Sequence, residues 1–273
     1  MSIVDVSGLP SAVFGSAVAR ATTFTGWDAS IRGILPTARR IGFIALDAGA
    51  GATTLAEQTV RILASRRADP VLAIDVAGGS ADLGARLGAG ETAPNDTRSG
   101  ARTTGEAMTG LDGKKGWFVL RPPLTAGSAS AESSPGAVGA WLSEAAPITR
   151  FFDVSVTDFG ARHPLVDLAE CAALCDVVCV VASADRGSAE LARAVAPAIA
   201  ALPESPAPVL ALVDHSRAGG AVARIMTTDP WPVVGIPFDR GLRAGAEPAG
   251  NAARRALLQL AATLVSGRKA VAA

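Results

Sequence analysis

Lysine is almost missing from this chain. Of its 25 basic residues only Lys114, Lys115 and Lys269 are lysines, and the remainder are arginines. Basic and acidic residues are equal in number, 25 each, so no bulk charge favours a nucleic-acid partner. No stretch approaches the roughly 18 apolar residues of a membrane span. Met1–Arg20 has neither a basic start nor a sustained apolar run, which argues against a signal peptide and for a cytoplasmic protein. Cysteine is confined to Cys171, Cys175 and Cys179, with no histidine at ligand spacing. These read as small core hydrophobes in a reducing compartment. The two histidines, His163 and His215, form no triad or metal cluster and read as loop residues. No Gly-x-Ser-x-Gly elbow is present.

What is present is apolar sequence, 49% of 273 residues, which suits one large buried core. Residues 1–40 are weakly patterned and read as an N-terminal extension; the domain proper spans 41–268, with 269–273 as a tail. Apolar runs without polar alternation predict buried strands at Ile41–Leu46, Val71–Asp75, Trp117–Leu120, Phe151–Val156, Asp176–Val181, Pro208–Val213 and Val233–Ile236. Helical spacing predicts helices at Thr53–Arg67, Val138–Ala146, Ser188–Leu202 and Ala252–Val265. The stretches 89–115 and 122–136, rich in small and turn residues, read as mobile loops. The alternation predicts an α/β fold: a doubly wound, mostly parallel sheet with helices on both faces and its ligand at the carboxyl ends of the strands.

The turn Asp47-Ala48-Gly49-Ala50-Gly51-Ala52-Thr53-Thr54 joins the first strand to the first helix of that domain. A phosphate-binding loop belongs at such a junction, where backbone amides and a helix N-terminus attract a polyanion. The segment resembles the deviant P-loop of MinD/ParA-type ATPases, which runs Lys-Gly-Gly-Val-Gly-Lys-Thr-Thr. Gly49, Gly51, Thr53 and Thr54 stand in register with it. Asp47 replaces the signature lysine, which in the family reaches the nucleotide across an ATP-sandwiched dimer. Ala52 replaces the Walker lysine.

Later blocks extend the resemblance. Val71–Asp75 is similar to the strand leading to switch I, with Asp75 in the acidic place and Ala77 where a second Asp often follows. The segment 152–158 is similar to the Walker B strand, with Asp158 facing the metal. Val234–Asp239 is similar to the strand whose following loop cups the base. The similarity covers roughly Ile41 to Val265. It is nearest to the MinD-like proteins of type VII secretion loci, which also carry an N-terminal extension with a Gly-Trp, here Gly26-Trp27.

The resemblance implies ATP or ADP with magnesium as ligand, held by Gly49, Ala50, Gly51, Ala52, Thr53 and Thr54, with Thr53 and Asp158 on the metal. It also implies that both P-loop charges are lost. Losing one charge-assisted contact costs about 1.5–3 kcal/mol. A carboxylate about 5 Å from a phosphate adds roughly 3 kcal/mol of repulsion at an effective dielectric of about 20. Together these weaken ATP binding about a thousandfold.

The chain therefore reads as a pseudo-ATPase, a regulatory or scaffold protein for secretion, division or pilus machinery, whose dimerisation, if any, does not depend on ATP. Two alternatives stay open. One is a working ATPase with its cation moved to Lys114, Lys115 or an arginine. The other is a dinucleotide fingerprint at Gly49-x-Gly51-x-x-Thr54, with Asp75 on the ribose. The closing helix, Asn251–Arg268, reads as packed on the sheet rather than as a membrane-targeting helix.

Overall fold

Strands buried on both faces need partners on both edges, and Val71–Asp75 and Val177–Ser183 are buried along almost their whole length. In a computed structural model, which describes residues 22–78, 82–123, 136–217 and 230–267, they lie inside an eight-stranded sheet.

The chain enters through a helix at residues 22–32 (α1) and β1 (Arg39–Ala45), then α2 (Ala52–Ala64) and β2 (Val71–Asp75). Three short helices follow, α3 (Leu83–Leu87), α4 (Asp96–Ser99) and α5 (Thr104–Ala107), then β3 (Asp112–Lys114) and β4 (Trp117–Leu120). Residues 137–149 form α6, with a π-helical turn at Trp141–Ala145. The remainder is β5 (Val154–Ala161), α7 (Leu168–Ala173), β6 (Val177–Ser183), α8 (Arg186–Ala200), β7 (Ala207–Val213), β8 (Val233–Ile236), α9 (Arg240–Arg243) and α10 (Asn251–Ser266).

The sheet order is β3-β4-β2-β5-β1-β6-β7-β8, parallel throughout except for the antiparallel edge strand β3. Alternate side chains feed two cores. Ile41, Phe43, Val71, Ala73, Val177 and Cys179 join α2 and α10 on one face. Ile44, Leu72, Ile74, Val178 and Val180 join α6, α7 and α8 on the other. The doubly wound α/β architecture is thus as expected.

Three local differences have physical causes. The stretch 89–115, read as a loop, contains α4, α5 and β3. Its helices are set by caps rather than by apolar periodicity: Asn95 accepts from the Arg98 amide, and Thr103 and Glu106 form a capping box. Of the companion stretch 122–136, most lies outside the described residues, as do the tail 269–273 and residues 1–21. The extension contributes to the core through α1, where Ile31 is buried, Trp27 packs against it and Arg67 donates to the Ile31 carbonyl at 2.7 Å. Finally, β5 starts at Val154 rather than Phe151, because the Arg39 amide takes the Asp153 carbonyl and pairing with β1 begins there.

The closing helix α10 packs on the core with Leu257, Leu260, Leu264 and Val265 buried. Cys171, Cys175 and Cys179 are buried free thiols, each pushed up by burial. Among the described residues no helix is long and apolar enough to cross a membrane.

Candidate functional site

At the carboxyl end of β1, central in the sheet, the chain turns into α2 through two glycines in the left-handed region, Gly49 (φ 82°) and Gly51 (φ 103°). A Cβ at Gly49 would meet nothing within 4 Å, so backbone conformation rather than space demands glycine there. Gly51 is the N-cap of α2 and offers no side chain to its amides, and the first turn holds no acid. The helix therefore presents uncapped donors and the positive end of its dipole. They face a cavity of about 460 Å³, lined by residues 47–54, Ala77, Gly78, Arg86, Gly160, His215 and Arg243 among others.

The two positions of altered charge differ in environment. Asp47 is exposed at the mouth of the cavity, so water screens its repulsion of an anion more than the sequence arithmetic allowed. Ala52 is only 4% exposed and packs into the core beneath the loop. The turn is thus solvated at its start and buried at its end.

Behind the loop lie two carboxylates. Asp75, the last residue of β2, stands opposite Asp158 within β5, and both are buried. Asp75 accepts from the Gly84 amide at 2.7 Å and the Ala77 amide at 3.3 Å. Burial, helped by the charges of Asp158 and Asp82 and opposed by the Gly84 bond, pushes Asp75 up to about 7. Asp158 accepts from Gly160 at 2.9 Å through Oδ1, while its buried Oδ2 has no hydrogen bond. Burial pushes Asp158 up too, against the favourable Thr53 hydroxyl, the Gly160 amide and the charges of Arg162 and Arg86. A register irregularity follows at once: Phe43 pairs with Asp158 and Ile44 with Gly160, so Phe159 is the extra residue of a bulge. Trp141 fixes the strand just before this point by donating to Thr157 at 3.2 Å.

A lone carboxylate oxygen beside a hydroxyl at a helix start is a donor pair that fits magnesium. Among the described residues no group of three or more His, Cys, Asp or Glu could hold a metal unaided, so such an ion would need ligand oxygens as well.

Neither Lys114 nor Lys115 is among the residues lining the cavity; both are exposed, and Lys114 sits on the edge strand β3. The cations at the cavity are Arg86, from the last turn of α3, and Arg243, from α9. Sequence reading did not single out either residue. His215 is exposed on the cavity wall and His163 is an exposed loop residue, as read.

The dinucleotide alternative meets two obstacles. Asp75 is buried with its oxygens on backbone amides, so it offers nothing to a ribose. β5 also separates β2 from β1, whereas a dinucleotide fold pairs its first two strands.

A larger cavity of about 670 Å³ lies on the flank of α2 and α10, away from these groups. Its Arg66 is paired with Asp28, its Arg61 with Glu57, and its Arg254 donates to the Pro248 carbonyl.

No protein-family model matches the chain, nor does any curated protein sequence. Solved structures do. The cell-division ATPase MinD of Pyrococcus furiosus superposes with a TM-score of 0.61 at 18% identity, covering 84% of this chain and 99% of that one. MinD in the MinC:MinD complex of Aquifex aeolicus gives 0.61 at 16%, covering 85% and 97%. A plasmid partition protein of Borrelia burgdorferi bound to AMPPNP gives 0.60 at 15%, covering 84% and 100%. The chain has the fold of MinD/ParA-type P-loop ATPases.

Proposed function

Proceeding from this MinD/ParA-type P-loop fold, we propose that the chain is a pseudo-ATPase: it has lost ATP hydrolysis and works in the cytoplasm as a regulatory or scaffold protein for a protein partner. The observation that carries this reading is Ala52, buried at the start of α2 where the resemblance puts the Walker lysine. Phosphoryl transfer gathers charge on the transferring oxygens and depends on preorganised cations to meet it. Asp47, in the place of the signature lysine, adds charge of the wrong sign at the mouth.

The remaining parts of the site are coherent with descent from a phosphate loop. Thr53 and Asp158 would hold magnesium if a nucleotide brought it, and the ion would supply charge neutralisation. Glycines 49 and 51 supply the backbone freedom. The Borrelia relative was captured with a nucleotide analogue and the Aquifex relative with a protein, MinC. Those two facts support a nucleotide-shaped pocket and a partner-binding role for this fold. The Gly26-Trp27 pair on α1 supports a place near type VII secretion machinery; division or pilus machinery are the other pathways.

The family's ATP-sandwiched dimer needs a lysine where Asp47 stands, so association here does not depend on ATP. Sedimentation velocity with and without Mg·ATP tests this. The expected result is one distribution, unchanged by nucleotide. A monomer that becomes a dimer only with ATP overturns the reading.

A further inference from the structure

We propose that the groove between α2 and α10 docks a short acidic amphipathic helix of a protein partner, and that Gln58, Arg254 and Arg255 read its acids. The inference deepens the scaffold reading by giving the partner a surface, and it does not depend on the loss of ATP hydrolysis.

The groove is the cavity of about 670 Å³ on the flank of the domain. Its apolar floor is Ile62 from α2 with Leu257 and Leu258 from α10, and Phe24 from α1 closes one side. Ile62 and Leu258 pack against the core but are only partly buried, so each keeps apolar surface that a ligand can cover. The α2 wall runs from Gln58 to Arg66. At about 1.5 Å per residue that is about 12 Å, or roughly two turns of a docked helix.

Gln58 marks the groove as a site. It is 4% exposed and lines the cavity, and its buried Nε2 has no hydrogen bond. A buried donor without an acceptor costs stability, and a ligand that accepts from it recovers that cost.

The charges around Gln58 favour an anionic acceptor. Arg61 and Arg66 are already paired, with Glu57 and Asp28. Arg254 donates to the Pro248 carbonyl and Arg255 stands 5.4 Å from the centre of the Phe24 ring; among the described residues neither meets a carboxylate. Glu247 is the one acid among the described lining residues. The first turn of α10 holds no acid, and Gly250 gives it no side-chain cap, so the helix dipole adds to the positive field at that end.

Two guanidiniums without carboxylate partners suit the few acids of a peptide. Adhesion to an anionic bilayer takes a cluster of about four to eight basic residues, and a flat bilayer does not enter a groove between helices. A nucleic acid needs more phosphate contacts than two arginines supply. An apolar floor with a cationic rim instead matches a helix that carries leucine-like side chains on one face and acids beside them.

The test uses the full chain and fluorescein-labelled helical peptides that share one leucine face and differ in the polar face, which is glutamate or lysine. Fluorescence anisotropy reads binding. The glutamate peptide is expected to bind at least tenfold more tightly than the lysine peptide. Arg254→Glu is expected to weaken the glutamate peptide by about tenfold and to strengthen the lysine peptide. Gln58→Met removes the donor at nearly constant volume. It is expected to melt at or above the wild-type temperature, because an unpartnered buried amide is gone, yet to bind the glutamate peptide about tenfold more weakly. Arg254 is exposed, so its variant keeps the fold, which circular dichroism verifies. No binding of the glutamate peptide by the wild type, equal binding of the two peptides, or unaltered affinity in either variant overturns the proposal. Displacement of the peptide by phosphatidylglycerol vesicles also overturns it, and would assign the groove to a membrane. ATP hydrolysis by the purified chain would instead overturn the pseudo-ATPase reading and leave the groove standing.

Discussion

Asp75 and Asp158 oppose each other in register on adjacent parallel strands, and only Asp158 carries a buried carboxylate oxygen without a hydrogen bond. An orphaned buried oxygen is a cost to the fold, and such costs are kept where a ligand once offset them. Asp158→Asn keeps an acceptor for the Gly160 amide and removes the carboxylate charge that burial disfavours. The variant is expected to be more stable than the wild type by on the order of 1 kcal/mol at neutral pH. Urea unfolding of the two proteins measures it; equal or lower stability in the variant contradicts the account of this oxygen.

Asp239 sets the pH behaviour of the loop around α9. Burial pushes its carboxyl up, but hydrogen bonds from Ala249, Gly250, Leu242 and Gly241 outweigh this and hold it below its ordinary value of 3.8. A depressed folded value means that the stabilisation is present above the unfolded pKa and is lost as pH falls through the folded one. Wild-type stability is therefore expected to drop between about pH 5 and pH 3 relative to Asp239→Asn, which has no such titration. Parallel slopes in denaturant melts across that range would show that Asp239 carries none of it.

Asp47→Lys changes an exposed residue, so the fold is expected to tolerate it within about 0.5 kcal/mol. Reversing the charge at the mouth of the cavity is expected to raise ADP affinity by a factor of about ten, equivalent to roughly 1.4 kcal/mol. Ala52→Lys is a different case. Ala52 is buried, so a lysine there costs stability unless its ammonium reaches the cavity, and the single variant is expected to melt below the wild type. Thermal unfolding with and without ADP separates the two effects; an Asp47→Lys protein that folds but binds no better contradicts the electrostatic argument.

Much of the sheet was legible because its strands are apolar runs bounded by turn residues; Val71–Asp75 and Val233–Ile236 fall where the pattern put them. Gly49 and Gly51 were legible as turn glycines from their place between a strand and a helix. The segment 89–115 was not, because α4 and α5 are single turns held by side-chain caps, a signal that needs individual residues rather than periodicity. Arg86 and Arg243 escaped notice because they reach the loop from α3 and α9, and only the tertiary fold brings those elements together at β1. The burial of Ala52 escaped for the same reason: it depends on what packs beneath α2.

The most direct measurement is phosphate release from Mg·ATP by the purified chain, run beside Asp158→Ala. The account predicts that the two proteins release phosphate at the same rate, no faster than buffer alone. Steady release by the wild type that disappears in Asp158→Ala would contradict it.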